Sequence, residues 1–247
     1  MKKNFLLNKT TILAASAVAL LGLSAVGSTR AATNAIKSEE ISANFETSNV
    51  AVSLYENGKL IKSGDSEEKT SLLSDIGDFY VGKTYNEQVS FTNGEDYDAY
   101  ARVIITKSWY NETGKDTTLD PDLIELNIVN AKGNEAVWFK DEAASTSERT
   151  VYYYKEPIAA GASVDITSGL KVKNEITEIV TRSAVAGKPE GTIQTTYNYN
   201  GKSFSIDVQV DEIQTHNAYD AARASWGVYL DIDENGIIQN VAHEMEE

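Results

Sequence analysis

Two histidines, His216 and His243, and the absence of cysteine narrow what this chain can do as a catalyst. There is no thiol nucleophile, no GxSxG elbow and no HExxH zinc helix. The stretch His243-Glu244-Met245-Glu246-Glu247 begins like HExxH but supplies no second histidine. A zinc site would need both histidines and a carboxylate brought together across the fold. A Ser-His-Asp triad has no spacing or motif in its favour. The expectation is a protein without enzymatic activity.

Oxygen ligands offer one further candidate. Asp231-Ile232-Asp233-Glu234-Asn235-Gly236 matches the start of an EF-hand loop, with Asp231, Asp233 and Asn235 at the first, third and fifth positions. The twelfth position should be a bidentate Glu and here is Ala242. The favoured reading is a hairpin turn between Tyr229–Ile232 and Ile237-Ile238, with weak calcium binding as the alternative. No other cofactor is implied. Tyr152-Tyr153-Tyr154 has the chemistry of a sugar-stacking platform. Period-two alternation would instead point two of the rings one way and one the other, as ordinary strand filling. Trp109, Trp138 and Trp226 read as core or interface anchors.

The elements that must position these residues are mostly strands. Val, Ile, Thr and Tyr alternate with period two through much of the chain. Candidates are Val50–Tyr55, Gln88–Thr92, Ala99–Tyr110, Leu123–Val129, Ala136–Lys140, Thr150–Lys155 and Ser163–Thr167. Val103-Ile104-Ile105 is apolar on both sides and reads as part of a central strand. Asn57-Gly58, Asn93-Gly94 and Lys132-Gly133-Asn134 separate strands, and Pro121, Pro157 and Pro189 fall in connectors. Thr192–Val210, broken by Asn200-Gly201, reads as a hairpin pairing Tyr197 with Phe204, Thr195 with Ile206 and Ile193 with Val208. A short helix is expected over Ala218–Trp226, capped by Asn217 and stopped by Gly227. Asn174–Ser183 fits a helix or a strand equally well. The fold class is therefore all-β, an antiparallel β-sandwich or jelly roll with one or two short helices.

The N-terminus carries an export signal. Lys2, Lys3 and Lys9 precede the uncharged apolar run Thr10–Val26, and Gly27–Ala32 supplies small residues for a signal peptidase, around Ala31 and Ala32. The run is short for a membrane span, which needs about 20 residues. The expected organisation is a signal over 1–31, an N-terminal segment over 32–47 and a β-sandwich domain over 48–247. Removing the signal takes four of the 22 basic residues and no acid, leaving 18 against 37 acidic ones, a net charge of −19. That field disfavours nucleic acid and anionic lipid, so the membrane is expected to be touched only through the uncleaved signal. Export without cysteine fits a Gram-positive bacterium better than an animal secretory route. No sortase motif follows, and the protein is expected to be secreted, released or held by other molecules.

Three stretches point to a family. They are the signal ending Val26-Gly27-Ser28-Thr29-Arg30-Ala31, the segment Val81–Gly94 followed by Asp98–Ile105, and Ile206–Ala218 ahead of Ala222–Gly227. Together they resemble the TasA/camelysin family of exported Gram-positive matrix proteins, leaving Asn111–Pro189 largely unmatched. The resemblance implies a jelly-roll subunit that builds extracellular biofilm-matrix or cell-surface fibres. It also implies a dedicated signal peptidase, self-association, and other matrix proteins or polysaccharide as further partners. In such fibres an N-terminal strand freed by signal cleavage fills a gap in the next subunit's sheet. Thr33–Thr47, with Ile36, Ile41 and Phe45 as its apolar anchors, is the counterpart here by position. Camelysin has been classed as a metallopeptidase, but no zinc motif is recognisable in this chain. A surface adhesin or carbohydrate-binding module using exposed tyrosines is the alternative reading.

Overall fold

The computed structural model describes residues 41–47, 52–63, 80–131, 137–184 and 193–243. The signal, the Ala31-Ala32 region and Ile36 lie outside them. Seventeen strands are present among the described residues. The first nine are β1 (Ile41–Thr47), β2 (Ser53–Glu56), β3 (Lys59–Ser63), β4 (Thr84–Tyr85), β5 (Val89–Thr92), β6 (Ala99–Asn111), β7 (Gly114–Lys115), β8 (Ile124–Ile128) and β9 (Trp138–Asp141). The rest are β10 (Arg149–Tyr154), β11 (Ser163–Asp165), β12 (Thr167–Val172), β13 (Val180–Ala184), β14 (Ile193–Tyr197), β15 (Ser203–Gln214), β16 (Tyr229–Ile232) and β17 (Ile238–Ala242). One α-helix, α1 (Ala218–Ser225), stands between β15 and β16.

The main sheet runs β1-β15-β6-β10-β9, with β7 folded back on β6. Two smaller sheets, β11-β5-β2-β3 and β4-β12-β8, supply residues to the same core as its inner face, and this is the all-β sandwich expected from the alternation. Every strand pairing among the described residues is antiparallel except that of β1 with β15.

Period two sorts the side chains of the main sheet into two cores. Val103 and Ile105 of β6, with Phe204, Ile206, Val208 and Val210 of β15, face the sandwich interior. Ile104, Val151, Tyr153 and Ile213 face the other way, where α1, β16 and β17 cover them. The strand holding Val103-Ile104-Ile105 is thus central and buried on both faces, as its unbroken apolar run requires. The tyrosine triplet divides as alternation demands, Tyr153 into the outer core and Tyr152 and Tyr154 against the inner one. All three tryptophans are buried.

The expected Asn200-Gly201 hairpin does not form. β14 pairs with β13, placing Tyr197 opposite Val180, while Phe204 pairs with Trp109 of β6. The cause is Tyr199. Its ring is buried edge-on against Trp109 at 5.0 Å, and its hydroxyl accepts from the Asp120 backbone N–H at 2.9 Å. Anchoring Tyr199 draws the chain into the core between the two strands and breaks the two-residue turn.

Two smaller corrections concern helices. Asn174–Ser183 is part of each reading, a 3₁₀ turn over Asn174–Thr177 and then β13. Asn217 precedes α1 as expected but in a left-handed conformation (φ 59°), and its side chain bonds Asp220 rather than capping a backbone N–H. Gly227, at φ 71°, ends the helix.

Candidate functional site

The N-terminal strand carries the strongest functional expectation, and the fold gives it a definite place. β1 lies at the edge of the main sheet, parallel to β15, over seven residue pairs from Ile41↔Phe204 to Thr47↔Val210. Phe45 stands in register with Val208. On its other side β15 is paired with β6 along its whole length, Ser203↔Tyr110 to Gln214↔Ala99. Without β1 the first half of β15 would be an open edge, its backbone unpaired beside the core residues Phe204, Ile206 and Val208. β1 also passes close to β3, an edge strand of the opposing layer.

The calcium candidates lie at the β16–β17 hairpin. Asp233 Oδ1 accepts from the backbone N–H of Asn235 and of Ile237, each at 2.9 Å, and Oδ2 accepts from Gln239 Nε2 at 2.9 Å. These bonds, that to Ile237 first, hold its carboxyl below the usual aspartate range. Both oxygens are committed to closing the β16–β17 hairpin, with Asn235 inside the turn and Asp231 on β16. Among the described residues no three His, Asp or Glu side chains are grouped as a metal site would require.

The histidines are not brought into one such group. His216 is exposed in the turn before α1. His243, at the end of β17, holds the buried carboxylate of Asp141 through Nε2 at 2.9 Å and so pins the last hairpin to β9. Asp141 also accepts from the Ala144 N–H at 3.0 Å. That is the geometry of a tertiary clasp.

Set against known protein families, curated proteins and solved structures, the chain finds no match.

Three buried carboxylates, Glu87, Glu212 and Asp211, belong to no sequence motif. Glu87 is fully buried beside Glu56 under the β2–β3 turn, and Asn57 Nδ2 donates to its Oε2 at 3.3 Å. Burial first, and the Glu56 carboxyl second, push Glu87 up to about 8, so it keeps its proton at neutral pH. Glu212 on β15 is raised to about 7, by burial and then by the charge of Glu95. A signal for Glu212 was present, because the alternation Phe204-Ile206-Val208-Val210 places residue 212 on the inner face. Glu87 carried the same signal, because the alternation Tyr85-Glu87-Val89-Phe91 places it on a buried face, while its partner Asn57, thirty residues away, could not be read. Asp211 faces the outer core, where Arg102 bonds it at 2.5 Å and 3.0 Å and lies over the Trp226 ring, tying sheet to cap.

Proposed function

We propose that this protein is an exported structural subunit of extracellular matrix or cell-surface fibres, and that copies join head to tail by exchange of the N-terminal strand. The observation that carries the reading is the placement of β1. It is an edge strand, the one parallel pairing among the described strands, attached to β15 by a continuous backbone ladder. Backbone ladders are indifferent to which molecule supplies the strand. The same seven-residue register is available from the β1 of a second copy, and that exchange leaves the second copy's own β15 edge to accept a third. Such a contact does not close on itself and grows a filament. Five residues separate β1 from β2 within the chain. Pairing within one molecule therefore competes at a high effective concentration, and exchange is favoured by crowding of subunits.

The expected export signal ends nine residues before this strand, so its removal leaves a short free end ahead of β1. Cleavage around Ala31-Ala32 is then the event that licenses assembly. Negative-stain microscopy of three preparations tests the reading: the cleaved protein, the protein with its signal attached, and a chain lacking 32–47. Filaments are expected only from the first. Filaments from the third, or a cleaved protein that stays monomeric at high concentration, would overturn it.

A further inference from the structure

The three-stranded sheet carries a groove of about 700 Å³, within the range that binds small ligands. It spreads over β4, β8 and β12 and reaches Tyr152 of β10. Its uncharged polar side chains are the amides and hydroxyls of Thr84, Asn127, Asn130 and Ser168. These groups donate and accept at once, as each hydroxyl of a sugar also does. Asn127 Nδ2 donates to Ser168 Oγ at 2.6 Å, across a β8–β12 pairing whose register slips between Thr167 and Gly169. That bond fixes both side chains and leaves the Asn127 carbonyl as an acceptor and the Ser168 hydroxyl hydrogen as a donor. Both residues are exposed.

Tyr152 gives the groove an aromatic wall. Its half-buried ring is packed edge-on against Trp138 at 6.4 Å, and burial raises its hydroxyl above the usual tyrosine range. A fixed aromatic surface beside convergent amides suits a sugar, whose ring has an apolar face and a polar rim. Charge narrows the class. Glu125 and Lys171, opposite each other in register, give the groove one acid and one base, while the whole chain at −15 repels anionic polymers.

A peptide strand is the other ligand an edge such as β8 can take, and the backbone argues against it. The Ile124 carbonyl already accepts from Lys107 Nζ at 2.9 Å, and the Asn130 carbonyl from the Val137 N–H at 3.0 Å. The start of β8 is occupied at Ile124 and the chain just past its end at Asn130, which shortens the edge an added strand could use.

We infer that this groove binds a neutral oligosaccharide, with Asn127 and Ser168 contacting hydroxyl groups and Tyr152 supporting a sugar face. The contact gives the protein a hold on a surrounding glycan that is separate from the β1–β15 edge. NMR amide shifts of the purified protein with cellohexaose, maltohexaose, chitohexaose or a uronate hexamer, each at about 1 mM, test it. Shifts confined to β8, β12 and Tyr152 are expected with at least one neutral sugar and not with the uronate. Asn127→Ala and Ser168→Ala, both at exposed positions, should each weaken binding about fivefold while leaving filaments unchanged. Absence of groove shifts with every neutral sugar, binding undiminished in both variants, or groove shifts produced instead by a peptide spanning 36–47 would each overturn the inference. Filament formation in the same variants reports on the fibre reading independently.

Discussion

Glu87 has a fully buried side chain, a second carboxyl beside it at Glu56, and an Oε1 that finds no hydrogen-bond partner among the described residues. Its folded value of about 8 lies above the ordinary 4.5. Below that ordinary value both folded and unfolded chains hold the proton, and its stabilisation is complete. Between 4.5 and about 8 the unfolded chain releases the proton first, so stability falls as pH rises and levels off above that range. Glu212 adds the same slope up to about 7. Asp116 works in the opposite sense. The Thr118 hydroxyl, then Lys202 and Asn111, hold its carboxyl well below the usual range, and its contribution is lost as pH falls through that lowered value. The protein should therefore be most stable in mildly acidic solution, with a melting temperature that declines from pH 5 to pH 9. Glu87→Gln keeps the neutral shape without the titration. Its decline should be shallower, with a gain at pH 9 on the order of 2 kcal/mol, or several degrees, read by calorimetry on both proteins. Asp233→Ala should lower the melting temperature by the same amount in EDTA as in calcium, because the carboxylate closes a turn. A calcium-dependent difference would count against that role.

The pairing of β1 with β15 allows a direct test because the chain has no cysteine. Ser42 and Ser205 are register partners, and Ser42→Cys with Ser205→Cys is nearly isosteric at both sites. Oxidised filaments of this variant should run as a ladder of covalent oligomers on a non-reducing gel, whereas pairing within one molecule gives monomer alone. Tyr199 is the other element-scale test. Tyr199→Ala removes a buried ring from Trp109 and leaves the Asp120 N–H without its acceptor, a cost of about 3 kcal/mol in urea unfolding. That residue also marks the limit of what alternation alone conveys. Strand positions such as Ala99–Asn111 and Val89–Thr92 were legible because one or both faces are apolar and the pleat has a fixed period. Pairing partners were not, because Tyr197 and Phe204 satisfy the same alternation whether joined to each other or to separate strands. The Asp231–Gly236 turn was readable because its chemistry is local, carried by Asp233 and the backbone just after it. The groove was not, because Asn127 and Ser168 are forty-one residues apart and meet only through the β8–β12 register.

At the scale of the whole molecule, charge opposes the association that the strand edge invites. With the expected signal removed the chain carries −19, and on the proposed fibre reading every added subunit brings that charge close to its neighbour's. The ribbon of β13 and β14 adds no acid to this field. Its described strands hold Arg182 and no carboxylate, and Ile193 and Tyr197 are exposed on it at 62% and 37%. Self-repulsion between acidic bodies is screened over about 10 Å at 0.1 M salt and only 3 Å at 1 M. Backbone hydrogen bonds between β1 and β15 carry no net charge and depend little on salt. Filament growth should consequently quicken as salt is raised. It should quicken again as the pH is lowered towards the carboxylate range, where the acids take up protons and the repulsion weakens. The critical concentration, measured by sedimentation, is expected to fall at least several-fold between about 20 mM and 500 mM salt. An opposite trend would mean that ion pairs between subunits, rather than an uncharged strand ladder, hold the filament together. In that case the Ser42–Ser205 cross-link would form within single molecules while filaments persisted, so the two measurements together separate strand exchange from charge-driven assembly.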